Sequence, residues 1–123
     1  MPVPILKQSQ YLIATIQSAL SDEDLLALQT NLVQQVGKYR SRGVIVDVTA
    51  LDVLDSFASR TLRDIAHIIR LRGAETVIVG VQPEVAFAMV QLGITLEKVS
   101  TALDLEEGLD YLDKKIQHAR VEP

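Results

Sequence analysis

What most constrains this chain is an alternation between two kinds of segment. Leu12-Ile13-Ala14-Thr15-Ile16, Val44-Ile45-Val46 and Thr76-Val77-Ile78-Val79-Gly80-Val81 are short, apolar and rich in β-branched residues. Between them lie longer stretches whose apolar residues return every three or four positions. Short continuous runs suit strands covered on both faces, and the 3.6-residue return suits helices with one buried face. Strand–helix–strand repeats of this kind imply parallel strands joined by right-handed crossovers. Ile5-Leu6-Lys7, turned by Gln8-Ser9-Gln10, reads as a short strand paired with the first run, and Lys98-Val99-Ser100 as a short last strand. The expected order is β-β-α-β-α-β-α-β-α, an α/β fold with a small mixed sheet of four to five strands and four helices.

The helix signals are local. Ser21-Asp22-Glu23-Asp24 offers an N-cap hydroxyl, an acid three residues on and negative charge in the first turn. That helix is expected to run to about Arg42, burying Leu25, Leu28, Leu32 and Val36, with Gly43 as its stop. A second helix is expected from near Ser56 to about Arg72, with Ala58, Leu62, Ile65 and Ile69 inward and Gly73 ending it. Pro83 suits the first turn of a third, with Val85, Met89 and Leu92 as its apolar stripe and Gly93 its end. Asp104-Leu105-Glu106-Glu107 repeats the capping signature, and Leu105, Leu109, Leu112 and Ile116 form the face of a fourth helix. Residues 117–123 read as a loose tail. No linker or low-complexity stretch interrupts the chain, so one domain over 1–123 is expected.

Composition narrows the chemistry. A net charge of −4 with no Lys/Arg run argues against nucleic acid and anionic membrane as partners. Cysteine is absent, which excludes disulfides, thiolate catalysis and cysteine-bound zinc. Only two histidines occur, His67 and His118, so a multi-histidine metal site is excluded as well. Apolar runs fall far short of the roughly 20 residues that span a bilayer, and the N-terminus lacks a signal-peptide pattern. A cytosolic protein is the expectation.

Function in an open α/β sheet gathers at the carboxyl ends of its strands. Here that points to Asp47-Val48-Thr49-Ala50-Leu51-Asp52-Val53-Leu54-Asp55 and the helix start at Ser56. A serine hydrolase needs a base within about 3 Å of the nucleophile. His67 lies eleven residues beyond Ser56, about 16 Å along a helix at 1.5 Å per residue, and no G-x-S-x-G elbow exists. Phosphate-binding glycine motifs are missing too. Asp47 and Asp52 are able to bind Mg²⁺, although acids at such places are more often caps and turn formers. Ser56 has two readings. It is a phosphoacceptor at a helix N-terminus whose amides favour anions, with Arg60 one turn on, or Ser56 or Asp55 simply caps the helix. Three functions remain: a phospho-regulated scaffold, a nucleotide-binding or metal-dependent enzyme, and a plain oligomerisation module with Leu26, Val33, Phe57 and Ile68 at a subunit interface.

The stretch from Asp47 to Ser56 resembles the signature loop of STAS domains, the sulfate-transporter and anti-sigma-antagonist family. There an aspartate ends a buried strand, a hydroxy-residue follows two positions on (here Thr49), and an Asp-Ser or Asp-Thr pair opens the next helix (here Asp55-Ser56). The order of elements also matches. Pro4-Ile5-Leu6, Asp55-Ser56-Phe57, Gln82-Pro83, Gln91-Leu92-Gly93-Ile94 and Thr101-Ala102-Leu103-Asp104-Leu105-Glu106 resemble the stressosome antagonists within that family. The resemblance implies a stand-alone STAS subunit, without catalysis, cofactor or metal, that assembles with itself and with larger STAS-containing co-antagonists. It implies that the subunit holds a switch serine/threonine kinase of the histidine-kinase-like ATPase superfamily. Phosphorylation of Ser56 releases that kinase, and a metal-dependent phosphatase resets the switch. Asp47, Thr49, Asp52, Asp55, Phe57, Ser59 and Arg60 are then the switch-loop and partner-contact residues. Ordinary anti-sigma antagonists carry a second small hydroxy-residue and a glycine where this chain has Phe57-Ala58. That departure argues against direct binding of an anti-sigma factor. It leaves Ser56 as the matched site and Ser59 as a neutral helix-surface residue that shares a face with Ser56 and is open to secondary modification.

Overall fold

The computed structural model describes residues 3–121. Strands β1 (Ile5–Gln8) and β2 (Tyr11–Thr15) form an antiparallel hairpin. Helix α1 (Asp22–Tyr39) leads to β3 (Gly43–Asp47), α2 (Ser56–Leu71) to β4 (Glu75–Val79), and α3 (Pro83–Gln91) to β5 (Ser100–Ala102). Helix α4 (Leu105–Val121) closes the chain. The five strands lie in sequence order, and β2 to β5 are all parallel. This is the mixed sheet with four helices that the alternation implied.

The sheet separates its side chains by the period of two. Leu12, Ala14, Val44, Val46 and Ile78 face a core that Leu28, Leu32 and Val36 of α1, Leu62, Ile65 and Ile69 of α2, and Val85 and Met89 of α3 complete. Tyr11, Ile13, Ile45, Val77 and Val79 face the other way, onto Leu112 and Ile116 of α4. Strands laid down in sequence order move every crossover the same way, so crossovers of one hand put α1, α2 and α3 on one face. Among the described residues, α4, which follows the last strand, covers the other. The Tyr11 hydroxyl donates to Asp113 and ties α4 to the first parallel strand.

Caps fall at the expected signatures. Ser21 Oγ accepts from the Asp24 amide at 3.1 Å. Asp104 Oδ1 accepts from the Glu107 amide at 2.9 Å, while Glu107 Oε2 accepts from the Leu103 amide at 3.2 Å.

Several boundaries differ from the sequence reading. Helix α1 stops at Tyr39 rather than near Arg42, because Arg40 turns left-handed at φ 50°. Gly43 is therefore no stop but the first residue of β3. A Cβ there would lie 2.8 Å from a Leu112 methyl and 3.0 Å from the Tyr11 ring, so the glycine admits α4 to the sheet. The last strand is Ser100–Ala102 rather than Lys98-Val99-Ser100, since Lys98 sits at φ 63° and breaks extension. Leu92 lies past the end of α3 and is exposed, leaving Val85 and Met89 as the buried stripe. Helix α4 also continues through residues 118–121, where a loose tail was expected, and Glu122 and Pro123 lie outside the described residues.

Candidate functional site

The carboxyl end of β3 and the amino end of α2 meet through a loop fixed from both sides. From inside, Val48, Leu51 and Leu54 are buried and enter the core. The Val48 amide donates to the Val79 carbonyl at 3.0 Å, and the Leu51 amide to the Val48 carbonyl at 3.0 Å. From outside, Asp47 Oδ1 accepts from both the Thr49 amide (2.9 Å) and the Thr49 hydroxyl (2.6 Å). Such a side-chain turn explains a carboxylate at this position without a metal. Gln82 Nε2 then donates to the Thr49 carbonyl at 2.6 Å, joining the loop to the start of α3. Gly80 makes room for that junction. It has φ +83°, and a Cβ on it would sit 1.9 Å from Thr49 Oγ1. Asp52 and Val53 point outward at the crest.

At the helix start the cap falls to Asp55. Its backbone is extended, and its Oδ1 accepts from the Ala58 amide at 2.8 Å. Ser56 is the first helical residue and is exposed. Of the two capping candidates in the sequence, the structure selects Asp55 and leaves the Ser56 hydroxyl free of that duty. Arg60 Nε donates to the Ser56 carbonyl at 3.3 Å, which brings the guanidinium back along the first turn. Thr61 Oγ1 donates to the Phe57 carbonyl at 2.9 Å, and Phe57 is half-buried.

Ser59 corrects the sequence reading. It is not a surface residue: it is 1% exposed, and its Oγ has no hydrogen-bond partner among the described residues. The face of α2 carrying Ser56 and Ser59 is roofed by the chain after α3. Ser56, Ser59, Arg60 and Arg63 line one side of a cleft there, and Leu92, Gly93, Ile94 and Thr95 the other. Ser59 is thus covered rather than presented on the helix surface. Sequence reasoning missed Arg63, Gln82, Gly80 and the 92–95 wall. Arg63 carried a signal, standing seven residues after Ser56 on the same helical face, whereas the 92–95 wall depends on packing that no local pattern encodes.

The groups weighed for catalysis stay apart. His67 stands eleven residues along α2 from Ser56, and its Nε2 is buried without a partner among the described residues. No group of three or more His, Asp or Glu among the described residues is placed to hold a metal ion. No described helix is long and apolar enough to cross a membrane. Of the interface candidates, Leu26 is exposed, while Val33, Phe57 and Ile68 are half-buried. The most exposed large apolar side chains lie elsewhere, at Leu71, Val90, Leu92, Leu103 and Phe87.

Comparison with known proteins agrees with this geometry. The family model of the STAS domain matches residues 3–108. The RsbT co-antagonist protein RsbRA of Bacillus subtilis is 34% identical over 93 residues, covering 72% of this chain and 34% of that protein. The chain thus spans about a third of the length of that relative. An RsbS variant from Moorella thermoacetica superposes with a TM-score of 0.80 at 31% identity, over 94% of this chain and 97% of that one. A chain from the molecular architecture of the stressosome, described as a signal integration and transduction hub, gives a TM-score of 0.74 at 30% identity, over 93% and 99% of the two chains.

Proposed function

The chain belongs to the STAS domain family, and from that premise we propose that it is a non-enzymatic antagonist subunit of a stressosome-type assembly, switched by phosphorylation of Ser56. In this reading it works in the cytoplasm and assembles with further copies and with larger STAS-containing co-antagonists. It holds a switch serine/threonine kinase until stress. The kinase transfers the γ-phosphoryl group of ATP to Ser56 Oγ: an O–P bond forms, the bond to ADP breaks, and the hydroxyl proton leaves to the kinase's base. The modified surface then lets the kinase go, and a phosphatase resets it by hydrolysis.

The observation that carries this reading is the division of labour at the start of α2. Asp55 supplies the cap, and Ser56 beside it is exposed at the first helical position. Phosphorylation there costs no cap. It places a charge of about −1.5 to −2 at a helix end that favours anions. The same charge stands beside Asp55, so the surface presented to a partner changes strongly. The likeness to RsbS and to RsbT co-antagonists supports the kinase-holding role.

Phosphosite mapping by mass spectrometry after incubation with ATP and extract of the source cells tests the proposal. Phosphate on Ser56 that disappears in Ser56→Ala is the expected result. An unmodified Ser56 in an extract with demonstrably active kinase would leave the plain oligomerisation reading, which the exposed Phe87, Val90, Leu92 and Leu103 favour.

A further inference from the structure

Building on the reading of Ser56 as a phosphoacceptor, we propose that its phosphoryl group, once attached, is received by the chain's own cleft between α2 and the 92–95 segment. Ser56, Ser59, Arg60 and Arg63 occupy positions i, i+3, i+4 and i+7 of α2, a single stripe along the helix. All four line the cleft, an open volume of about 360 Å³ closed on its far side by Leu92, Gly93, Ile94 and Thr95. That is ample for a phosphoryl group carried by Ser56 at its mouth.

Two observations, independent of the helix end itself, mark the cleft as an anion site. The first is the Ser59 hydroxyl, which lines the cleft in a residue 1% exposed and has no partner among the described residues. Buried hydroxyls in folded proteins are almost always hydrogen-bonded, so an unpaired one marks a place where an acceptor is missing. A phosphoryl oxygen is such an acceptor. The second is the pair of guanidiniums. Arg60 is drawn back along the helix by its bond to the Ser56 carbonyl. Among the described residues Arg63 has a loose ion-pair neighbour, Asp64 Oδ1 at 3.7 Å, with both side chains substantially exposed. A contact of that kind exchanges readily for a dianion that accepts forked hydrogen bonds. The charged groups bordering the site are Asp55, whose Oδ1 already accepts from the Ala58 amide, Arg60, Arg63 and Asp64. The 92–95 wall contributes no charge to oppose a phosphate. The modification is then read as a filled cleft with two sequestered arginines, and a partner that relied on Arg60 or Arg63 loses them.

The test uses full-length protein with phosphoserine genetically encoded at position 56, so it needs no kinase. If Ser56 proves not to be a natural phosphosite, the proposed function fails while this measurement still stands. Phosphorus NMR titration gives the second phosphate pKa, ordinarily near 6. Two nearby guanidiniums lower it, by about 0.5–1 unit at an exposed site, relative to the same protein in urea. Arg60→Gln with Arg63→Gln should remove most of the shift, leaving only the part that the helix end supplies, and Arg63→Gln by itself should reduce it. Equal values in the folded parent and the double variant overturn the proposal. Amide shifts supply a second readout that does not depend on the variants. Phosphorylation should move Ser59, Gly93 and Thr95, and movement confined to 55–58 overturns it. Unmodified protein titrated with inorganic phosphate separates the sources. Saturation of the Gly93 and Thr95 amides by free phosphate, with no lowered pKa in the phosphoserine form, assigns the cleft to a diffusible anion and overturns the proposal.

Discussion

Asp55 and Ser56 are neighbours with opposite obligations. Asp55 closes the first turn of α2 through the Ala58 amide, whereas Ser56 spends nothing on the helix it begins. Asp55→Ala should therefore cost about 1 kcal/mol of stability, near 4 °C in melting temperature for a domain of this size, while Ser56→Ala should stay within about 0.5 kcal/mol. Thermal denaturation followed by circular dichroism separates the two. Gly80 gives a sharper case, since its φ of +83° and the 1.9 Å approach of Thr49 Oγ1 leave no space for a methyl group. Gly80→Ala should cost roughly 1–3 kcal/mol and loosen the turn at Asp47, visible as denaturation at lower urea and as shifted amides at 47–49. At this scale the sequence showed which residues matter more clearly than what each does. Asp47, Thr49, Asp55 and Ser56 stood out from strand-end and helix-start chemistry. The cap assignment stayed open because either oxygen suits an N-cap. Ser59 was misplaced because its burial is decided by a segment more than thirty residues away.

At the scale of elements, α4 is the sole cover of one sheet face among the described residues. Leu112 is fully buried there, against Ile45 and the valines of β4, and Gly43 and Gly108 are small so that the helix can approach. Leu112→Ala should cost about 3 kcal/mol, measured by urea denaturation, through lost contacts and the cavity left behind. Phe87 on α3 offers the contrast. It is 72% exposed, so Phe87→Ala should change monomer stability by less than about 0.5 kcal/mol in the same experiment. Helix starts were legible because Ser21, Pro83 and Asp104 act through bonds within one turn. Helix and strand ends were less so. Arg40 and Lys98 adopt left-handed conformations that side chains of their type seldom signal, and each moved a boundary by two or three residues.

For the molecule as a whole, the alternation of apolar runs and amphipathic stretches was enough to order the elements and make the sheet mostly parallel, because crossover geometry leaves few alternatives. The same topology gathers the carboxyl end of β3, the start of α2 and the chain after α3 at one end of the sheet. That end carries Asp47, Thr49, Asp52, Asp55 and Ser56. What no pattern in the chain encoded was the cleft on α2, or the apolar exposure of α3, since both are relations between elements distant in sequence. In the proposed reading, phosphorylation of Ser56 governs release of a kinase. The most direct measurement is the dissociation constant between the assembled subunit and its switch kinase, for wild type, Ser56→Ala and the phosphoserine-56 protein. Retained capture by the first two, and affinity lowered at least tenfold in the third, is what this account predicts. Equal capture by all three would contradict it.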